Sequence, residues 1–366
     1  MTFTLFLQLF GGLLVVISLI PLIRHDYWTF RVFEFPRAQK LVLILLVLVL
    51  YLVTQGIQNV VDGVFAGILF LNVGYLVYQV WPYTPLAAIQ LQRSQKPNED
   101  QGVKLLICNV YQHNRKSKSL LTLIKAMNPD VVLLAETDTW WAEQTAVLTK
   151  NYPNTVLIPL ENTYGMLLYS RLALKKSAVK YLVEPDIPSI HAQVILPSGQ
   201  AVQLFCLHPT PPVPQENPRS TERDKEILLI GKLSKASQLP VIVAGDLNDV
   251  AWSYTSELFQ KTSGLLDPRR GRGFFNTFHA KYPLLRFPLD HIFCSTDFKL
   301  VRIQRLPHVG SDHFAMFVHL VYDPQAPAQQ EEPTATHEET KTAEEKINTP
   351  TDDNEPPKPS RSPMKT

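Results

Sequence analysis

Three apolar runs within the first 81 residues constrain this fold more than anything that follows. Residues 3–23 are almost wholly apolar. A second run extends through Leu41–Val53, and a third covers about residues 60–81 with one acidic residue, Asp62, near its start. About 20 apolar residues is the length that crosses a bilayer as a helix. Inside hydrocarbon the backbone must satisfy its own hydrogen bonds, so such runs fold as helices there. Buried helices of a soluble bundle are the alternative, and three successive runs with so few charges disfavour it. A cleaved signal peptide is disfavoured because no Lys or Arg precedes the first run and no A-x-A site follows it. The expectation is a membrane region over residues 1–90 with spans at about 3–23, 39–54 and 60–81, in contact with lipid.

Orientation follows from cations in the short loops. The connector between the first two spans carries Arg24, Arg31, Arg37 and Lys40, whereas Thr54–Asn59 carries none. The connector is therefore expected on the cytoplasmic side. Three spans return the chain to that side, and Arg93, Lys96 and Lys104 after the third span agree with it. Tyr27, Trp28, Trp81 and Tyr83 suit the interfaces.

Beyond a polar linker at residues 91–101 the pattern changes to that of a soluble α/β domain over residues 102–323. Val103–Asn109, Asp130–Glu136 and Tyr164–Ser170 read as strands, and Ser119–Met127 has helical spacing stopped by Asn128-Pro129. Ala192–Leu196 and Ala201–Leu207 flank Pro197-Ser-Gly-Gln200 as a hairpin. A Pro-rich loop and a helix over Ser220–Leu233 lead to the strand Val241-Ile-Val-Ala-Gly-Asp246; Leu289–Cys294 and Phe314–Val321 complete the set. Residues 324–366 hold nine acidic and five basic side chains, a net −4 against +2 for the whole 366-residue chain, which leaves +6 elsewhere. That tail is too polar to bury a core and is expected to be disordered. Cys108, Cys206 and Cys294 are far apart and form no CxxC pair, so a thiolate metal site is disfavoured and each reads as a small core residue.

Strand after strand ends in a polar group: Asn109, Glu136, His208, Asp246 with Asn248, Asp290 with His291, and Asp312 with His313. Clustered carboxylates repel unless a cation neutralises them. Carboxylates, amides and imidazoles without thiolates suit a hard divalent ion with oxygen ligands, and hence metal-assisted phosphoester hydrolysis. His291, adjacent to Asp290 on a strand, is expected to face away. Asp249 reads as a turn residue, and Asp130, Asp138 and Glu161 as solvated or capping groups.

The ordered set Asn109, Pro129-Asp-Val-Val-Leu-Leu-Ala-Glu136, Leu207-His208, Gly245-Asp-Leu-Asn248, Leu289-Asp290-His291 and Gly310-Ser-Asp-His313 resembles the endonuclease/exonuclease/phosphatase superfamily over about Val103–Tyr322. The resemblance implies a four-layered α/β sandwich of two packed, mainly antiparallel sheets. It implies Glu136 as the principal Mg²⁺ ligand, with Mn²⁺ as a substitute, Asp312 as a further metal-side carboxylate, and Asn109 holding the metal-bound water or phosphate. It also implies Asp246 deprotonating the attacking water, Asn248 bonded to the phosphate, Asp290 orienting His313 on that phosphate, and His208 near the leaving group. Abasic-site endonucleases carry an acidic residue where this chain has Tyr111; Asn114 is the nearby replacement, offered as a substrate contact.

The loop Asp267–Phe278 is basic and aromatic. Arg269, Arg270 and Arg272, with Arg223, are expected to contact substrate, either nucleic acid or an anionic lipid headgroup. The expectation is an anchored phosphodiesterase of bacterial type, in an inner membrane with its catalytic domain cytoplasmic and with a slight preference for nucleic acid. A lipid or small-molecule phosphoesterase is the second possibility, and a catalytically silent membrane scaffold the third.

Overall fold

The computed structural model of the protein describes residues 2–351. Among the described residues three helices are long and apolar enough to cross a membrane: Phe3–Ile23, Arg37–Thr54 and Val60–Tyr83. Their regular α-helical parts are α1 (Phe3–Leu19), α3 (Arg37–Thr54) and α4 (Val60–Val80), with a one-turn helix α2 (Trp28–Arg31) in the first connector. Their mutual seam buries Leu7, Leu14, Ile44, Val47, Leu69 and Leu76, while Val42, Val53, Phe70 and Leu71 point outward. Gly11 lies on that seam, where an added Cβ would sit 2.9 Å from the Phe65 ring. Close approach of helices at small residues is how membrane helices pack.

The remaining described residues form two sheets and two helical layers. The first sheet has the order β10-β11-β1-β2-β4-β3. Its strands are β1 (Gly102–Asn109), β2 (Val131–Ala135), β3 (Asn154–Ile158), β4 (Met166–Ser170), β10 (Phe298–Arg305) and β11 (Met316–Tyr322). The second has the order β5-β6-β7-β8-β9. It comprises β5 (Leu174–Lys180), β6 (Ser189–Ile195), β7 (Ala201–Leu207), β8 (Val241–Asp246) and β9 (Asp290–Cys294). Only β1–β2 and β7–β8 are parallel; all other pairs are antiparallel.

Alternation along β1 shows why two cores form. Leu105 and Ile107 join the layer between the sheets, with Ile242 and Ala244 of β8. Leu106 and Cys108 face the opposite layer, under α5 (Ser117–Met127) and α6 (Thr139–Thr145). Such period-2 burial is possible only in a strand covered on both faces. Each fully buried Leu, Ile or Val here stabilises the fold by about 1.5–3 kcal/mol relative to exposure. The second sheet is covered by α7 (Thr221–Ala236) and α8 (Tyr254–Ser263), which bury Ile227, Leu228, Leu258 and Phe259. All three cysteines are buried and free.

Two segments differ from expectation. The tail is ordered through residue 351. Gln330 is anchored to Thr296 and Phe298 carbonyls, and α9 (His337–Asn348) begins with a reciprocal Thr336–Glu339 capping box. Ala343 and Ile347 pack on the α7–α8 layer, while Lys346 and Glu339 pair with Asp224 and Lys261 at 2.9 and 2.7 Å. A strongly polar average concealed one short amphipathic set and a good cap. Residues 352–366, the rest of the tail expected to be disordered, lie outside the described residues. The linker at 91–101 is likewise pinned: Leu91 is in the inter-sheet core, and Gln92–Ser94 hydrogen-bond along Leu300 at the β10 edge.

The three apolar helices are docked onto the domain through two segments. Arg31 of the connector is buried and donates to Ser220, Asp224 and Thr255 at 2.7–3.1 Å. Glu34 O accepts from Trp252 Nε1, and Arg37 donates to Trp252 O. After the third helix, Tyr83 donates to Ala251 O and Pro82 O accepts from Gly271 N. Connector and exit segment thus share one end of the bundle with the α/β domain.

Candidate active site

The two parallel pairs set the position of the site. β1 and β2 end beside each other in one sheet, β7 and β8 in the other, and β1 packs across the sandwich on β8. Four strand C-termini therefore converge, and the antiparallel β9 starts at the same end. Asn109, Glu136, His208 and Asp246 come from the four C-termini; Asp290 opens β9, and Asp312 and His313 precede β11.

Asn109 joins the sheets. Its Nδ2 donates to Glu136 Oε1 at 2.7 Å and to Asp246 Oδ2 at 3.0 Å, while its Oδ1 accepts from Tyr111 N. Asp246 Oδ2 lies 3.5 Å from His313 Nε2 and 3.9 Å from His208 Nε2, and Asp246 Oδ1 accepts from Asn248 N. His313 Nδ1 meets Asp290 Oδ2 at 2.8 Å. Asn248 Nδ2 donates to Pro209 O, which leaves its second N–H available. Asp312 is half-buried at the rim.

Backbone strain gathers at the same place. Glu136 and Asn248 have φ of 55° and 50°, in the left-handed region that costs a residue with a Cβ about 1–3 kcal/mol. Gly245, at φ 150°, is required: a Cβ there would lie 1.9 Å from Leu207 O of the neighbouring strand.

Burial dominates the electrostatics. It pushes Glu136 up to about 7, with Asp312 adding to the rise and the Asn109 hydrogen bond opposing it. Burial also raises Asp246, reinforced by Asp290 and opposed by His313 and His208. His208 is lowered by burial. For His313 burial acts downward, but Asp246 and Asp290 outweigh it and carry the imidazole to about 10. The site thus combines a cationic imidazolium with carboxylates that readily take up a proton or a metal ion.

Asp246, Asp290 and His313 each offer a ligand atom within 4.8 Å of the others. A protonated His313 has no lone pair for a metal, and its Nδ1 is already engaged by Asp290. Glu136 is the better fit. It is a half-buried carboxylate facing no Lys or Arg among its described partners, and the surrounding donors are oxygens. The residues present therefore suit a hard divalent cation.

The expected substrate contacts lie elsewhere. Asn114 is buried in its own turn, donating to Val110 O and accepting from Lys116 N. Arg223 pairs with Asp224 and donates to Asn248 O, supporting the site loop from behind. Arg269 is held by Asp267 and donates to Asp290 O. Arg270 lies over the Tyr83 ring, and Arg272 donates to Leu91 O and Pro268 O. The arginine-rich loop thus faces the stem of the three apolar helices, because Asp267 and backbone carbonyls there satisfy guanidinium groups. His291 is buried between Arg269 and Asp249 O, facing away from the site. Asp249 is more than a turn residue, being buried against Arg223 and Ser253. Asp138 caps α6.

Several supporting residues have no sequence signal outside the tertiary structure. Ser311 donates to Asn109 O and accepts from His313 N, tying both ends of the site. Thr277 Oγ1 accepts from Asp290 N, the Phe278 ring lies 4.9 Å from His313, and Tyr164 lies 5.3 Å from His208. Ser311 alone lies inside a recognisable motif, Gly310-Ser-Asp-His313.

A two-sheet sandwich whose strand ends gather carboxylates, an amide and two imidazoles defines a phosphoesterase-type site. The chain belongs to the endonuclease/exonuclease/phosphatase family, whose sequence model matches residues 106–313. This places it among phosphodiesterase- and nuclease-type hydrolases. It is similar in fold to TDP2 of D. rerio complexed with a single-strand DNA product, at 18% identity over 60% of this chain and 98% of that one, TM-score 0.50. It is also similar to an endonuclease/exonuclease/phosphatase family protein from Bacteroides thetaiotaomicron, at 17% identity over 62% of this chain and 99% of that one, TM-score 0.50. No curated protein matches the sequence.

Proposed function

We propose that this protein is a membrane-anchored, Mg²⁺-dependent phosphodiesterase. The observation that carries the reading is the continuous chain Glu136–Asn109–Asp246–His313–Asp290 across the two sheets. When bound beside Glu136, with Asp312 as the second carboxylate, a divalent ion supplies charge neutralisation at a phosphoryl oxygen. Asp246 accepts a proton from the attacking water, a role its raised affinity for protons favours. Water oxygen adds to phosphorus and the P–O bond to one alcohol breaks. The products are a phosphomonoester and an alcohol, which takes up the balancing proton. The His313 imidazolium, held by Asp290, and the free N–H of Asn248 stabilise negative charge on the phosphoryl group. His208, whose proton affinity burial lowers, is assigned to the leaving oxygen.

The docked connector supports an anchored domain on one side of the membrane, with the turn at Thr54–Asn59 on the other. The four connector cations favour the cytoplasmic side of a bacterial inner membrane. Arg31 and Arg37 are engaged by protein groups in the folded state, but orientation is set on the nascent chain, before the domain exists to engage them. Reporter fusions at residue 57 and after residue 323 test this: opposite compartments are expected, and a shared one refutes it.

The catalytic reading is tested on the full chain in detergent with bis(p-nitrophenyl) phosphate, plasmid DNA, RNA and phospholipid. Hydrolysis that needs Mg²⁺ and is lost in Asp246→Asn and His313→Ala is expected. A phenotype that survives both substitutions would instead establish the scaffold. Removal of the arginine loop from the site takes away the reason for favouring nucleic acid.

A further inference from the structure

The eight residues His279–Arg286 form a loop that hangs from the catalytic rim. At its base Phe278 and Phe287 pair, Phe278 lies against His313, and Ala280 N donates to Asp312 O at 2.6 Å. Lys281 reaches over the Tyr111 ring, two residues from Asn109. At its tip five consecutive residues, 281–285, are exposed. Three of them are large and apolar: Tyr282 is 58% exposed, Leu284 83% and Leu285 55%. Isolated exposed apolar residues are ordinary on a soluble surface, but a contiguous run at a loop tip marks a contact site.

The position of the loop identifies the partner. Gln39 Nε2, in the first turn of α3, donates to Leu284 O at 3.0 Å, and Phe35 packs edge-on against Phe287 at 5.5 Å. α3 has 18 residues, which at 1.5 Å each is about 27 Å, close to the roughly 30 Å of hydrocarbon it would cross. Its first turn therefore lies at the headgroup boundary, and a loop bonded to that turn lies at the same depth. Exposed Lys281 precedes the apolar tip, and half-buried Arg286, over the Phe314 ring and donating to Ala280 O, follows it. Cations beside Tyr and Leu are the composition of a segment that rests in an anionic interface.

We propose that the 279–286 loop rides in the interface of the same bilayer that holds the three helices, and that the site beside it takes its phosphodiester from a lipid headgroup. The substrate half of this inference rests on the phosphodiesterase reading above; the membrane contact does not. Water adds to the lipid phosphorus, the P–O bond to one alcohol breaks, and that alcohol carries away the balancing proton. The fixed anchor keeps the catalytic rim at headgroup level, so the scissile phosphate is reached without extracting the lipid.

The test uses the full chain reconstituted into vesicles of phosphatidylcholine and phosphatidylglycerol. In the first arm Leu284→Cys is labelled with an environment-sensitive fluorophore; the three native cysteines are buried and leave the label at position 284. Quenching by shallow nitroxide lipids is expected, and quenching only by a water-soluble agent overturns the contact. In the second arm a Tyr282→Ser, Leu284→Ser, Leu285→Ser variant is compared with wild type. Phospholipid hydrolysis is expected to fall about tenfold or more, while bis(p-nitrophenyl) phosphate hydrolysis changes less than about twofold. Equal loss on both substrates, or no loss on phospholipid, overturns the proposal. Cleavage of plasmid DNA with phospholipid untouched overturns the lipid substrate and leaves the phosphodiesterase reading standing. Silence on every substrate overturns that reading and the lipid substrate with it, while the first arm still decides the contact.

Discussion

Asp224→Asn removes a single charge on which three parts of the molecule converge. Arg31 of the connector meets this carboxylate at 2.7 Å, Lys346 of α9 at 2.9 Å and Arg223 of α7 at 2.9 Å. Asp224 and Arg31 are almost wholly buried, so loss of the anion leaves cations without compensation in a low-dielectric environment. Breaking such a buried pair costs about 3–5 kcal/mol. Arg31 keeps Glu34, Ser220 and Thr255, which favours the lower end. At about 2–4 °C per kcal/mol for a domain of this size, the melting temperature should fall by about 6–12 °C. Burial acts to raise the Asp224 carboxyl, but Arg31, Lys346 and Arg223 outweigh it and hold it well below the usual carboxylate range. A depressed carboxylate contributes stability at neutral pH that is lost as pH falls through its folded value. Wild type and variant should therefore converge on strong acidification. The assay is a fluorescence melt of the full chain in detergent, as a double-mutant cycle with Arg31→Met. A melt within about 1 °C of wild type, or strictly additive single variants, would show that the Asp224–Arg31 pair contributes nothing to docking of the connector.

Further outcomes are expected. His313→Ala should lower kcat by about 10²–10⁴-fold in steady-state assays, and Asp290→Asn, by removing the anion that helps carry His313 to about 10, should move the alkaline limb of the pH–rate profile to lower pH. Chelation should abolish activity and Mg²⁺ or Mn²⁺ restore it, with Glu136→Gln raising the half-maximal metal concentration about 10–100-fold in a titration. Burial, with Glu184 adding, pushes Glu226 of α7 from 4.5 up to about 8. A raised carboxyl binds its proton more tightly when folded, so it favours the fold at low pH and loses that contribution as pH rises from 4.5 through 8; Glu226→Gln should flatten this part of a melting-temperature–pH curve.

Strands buried on both faces were legible as short apolar runs, and so were the polar groups ending them. Of the four edge strands only β9 was; β3, β5 and β10 were not. β5 is Leu-Lys-Lys-Ser-Ala-Val-Lys and β10 is Phe-Lys-Leu-Val-Arg-Ile-Gln-Arg, while β3 is a short Asn-Thr-Val-Leu-Ile. Edge strands carry polar and charged residues precisely where a pattern search wants apolar ones. α9 was missed because its apolar side is little more than Ala343 and Ile347, and its ion-pair partners lie far away in sequence. The arginines of 269–272 illustrate the opposite error. Composition shows that a loop is basic, whereas the positions of Asp267, Leu91 O and Tyr83 decide where its charge is used.

By itself the sequence determined which residue types could do chemistry and roughly where each strand would present them, because short-range periodicity and chain order are local properties. It also determined three helices of membrane-crossing length, since apolar length is read directly. Only the tertiary structure decided which polar groups meet. Asn109 reaches Asp246 across 137 positions because β1 packs on β8. Arg223 and Arg269 were turned into supports because buried carboxylates attract them more strongly than open solvent does. The apolar loop at residues 279–286 gained its meaning from one contact with Gln39, 245 residues away from Leu284. Such contacts are set by sheet order and helix docking, which no local window contains.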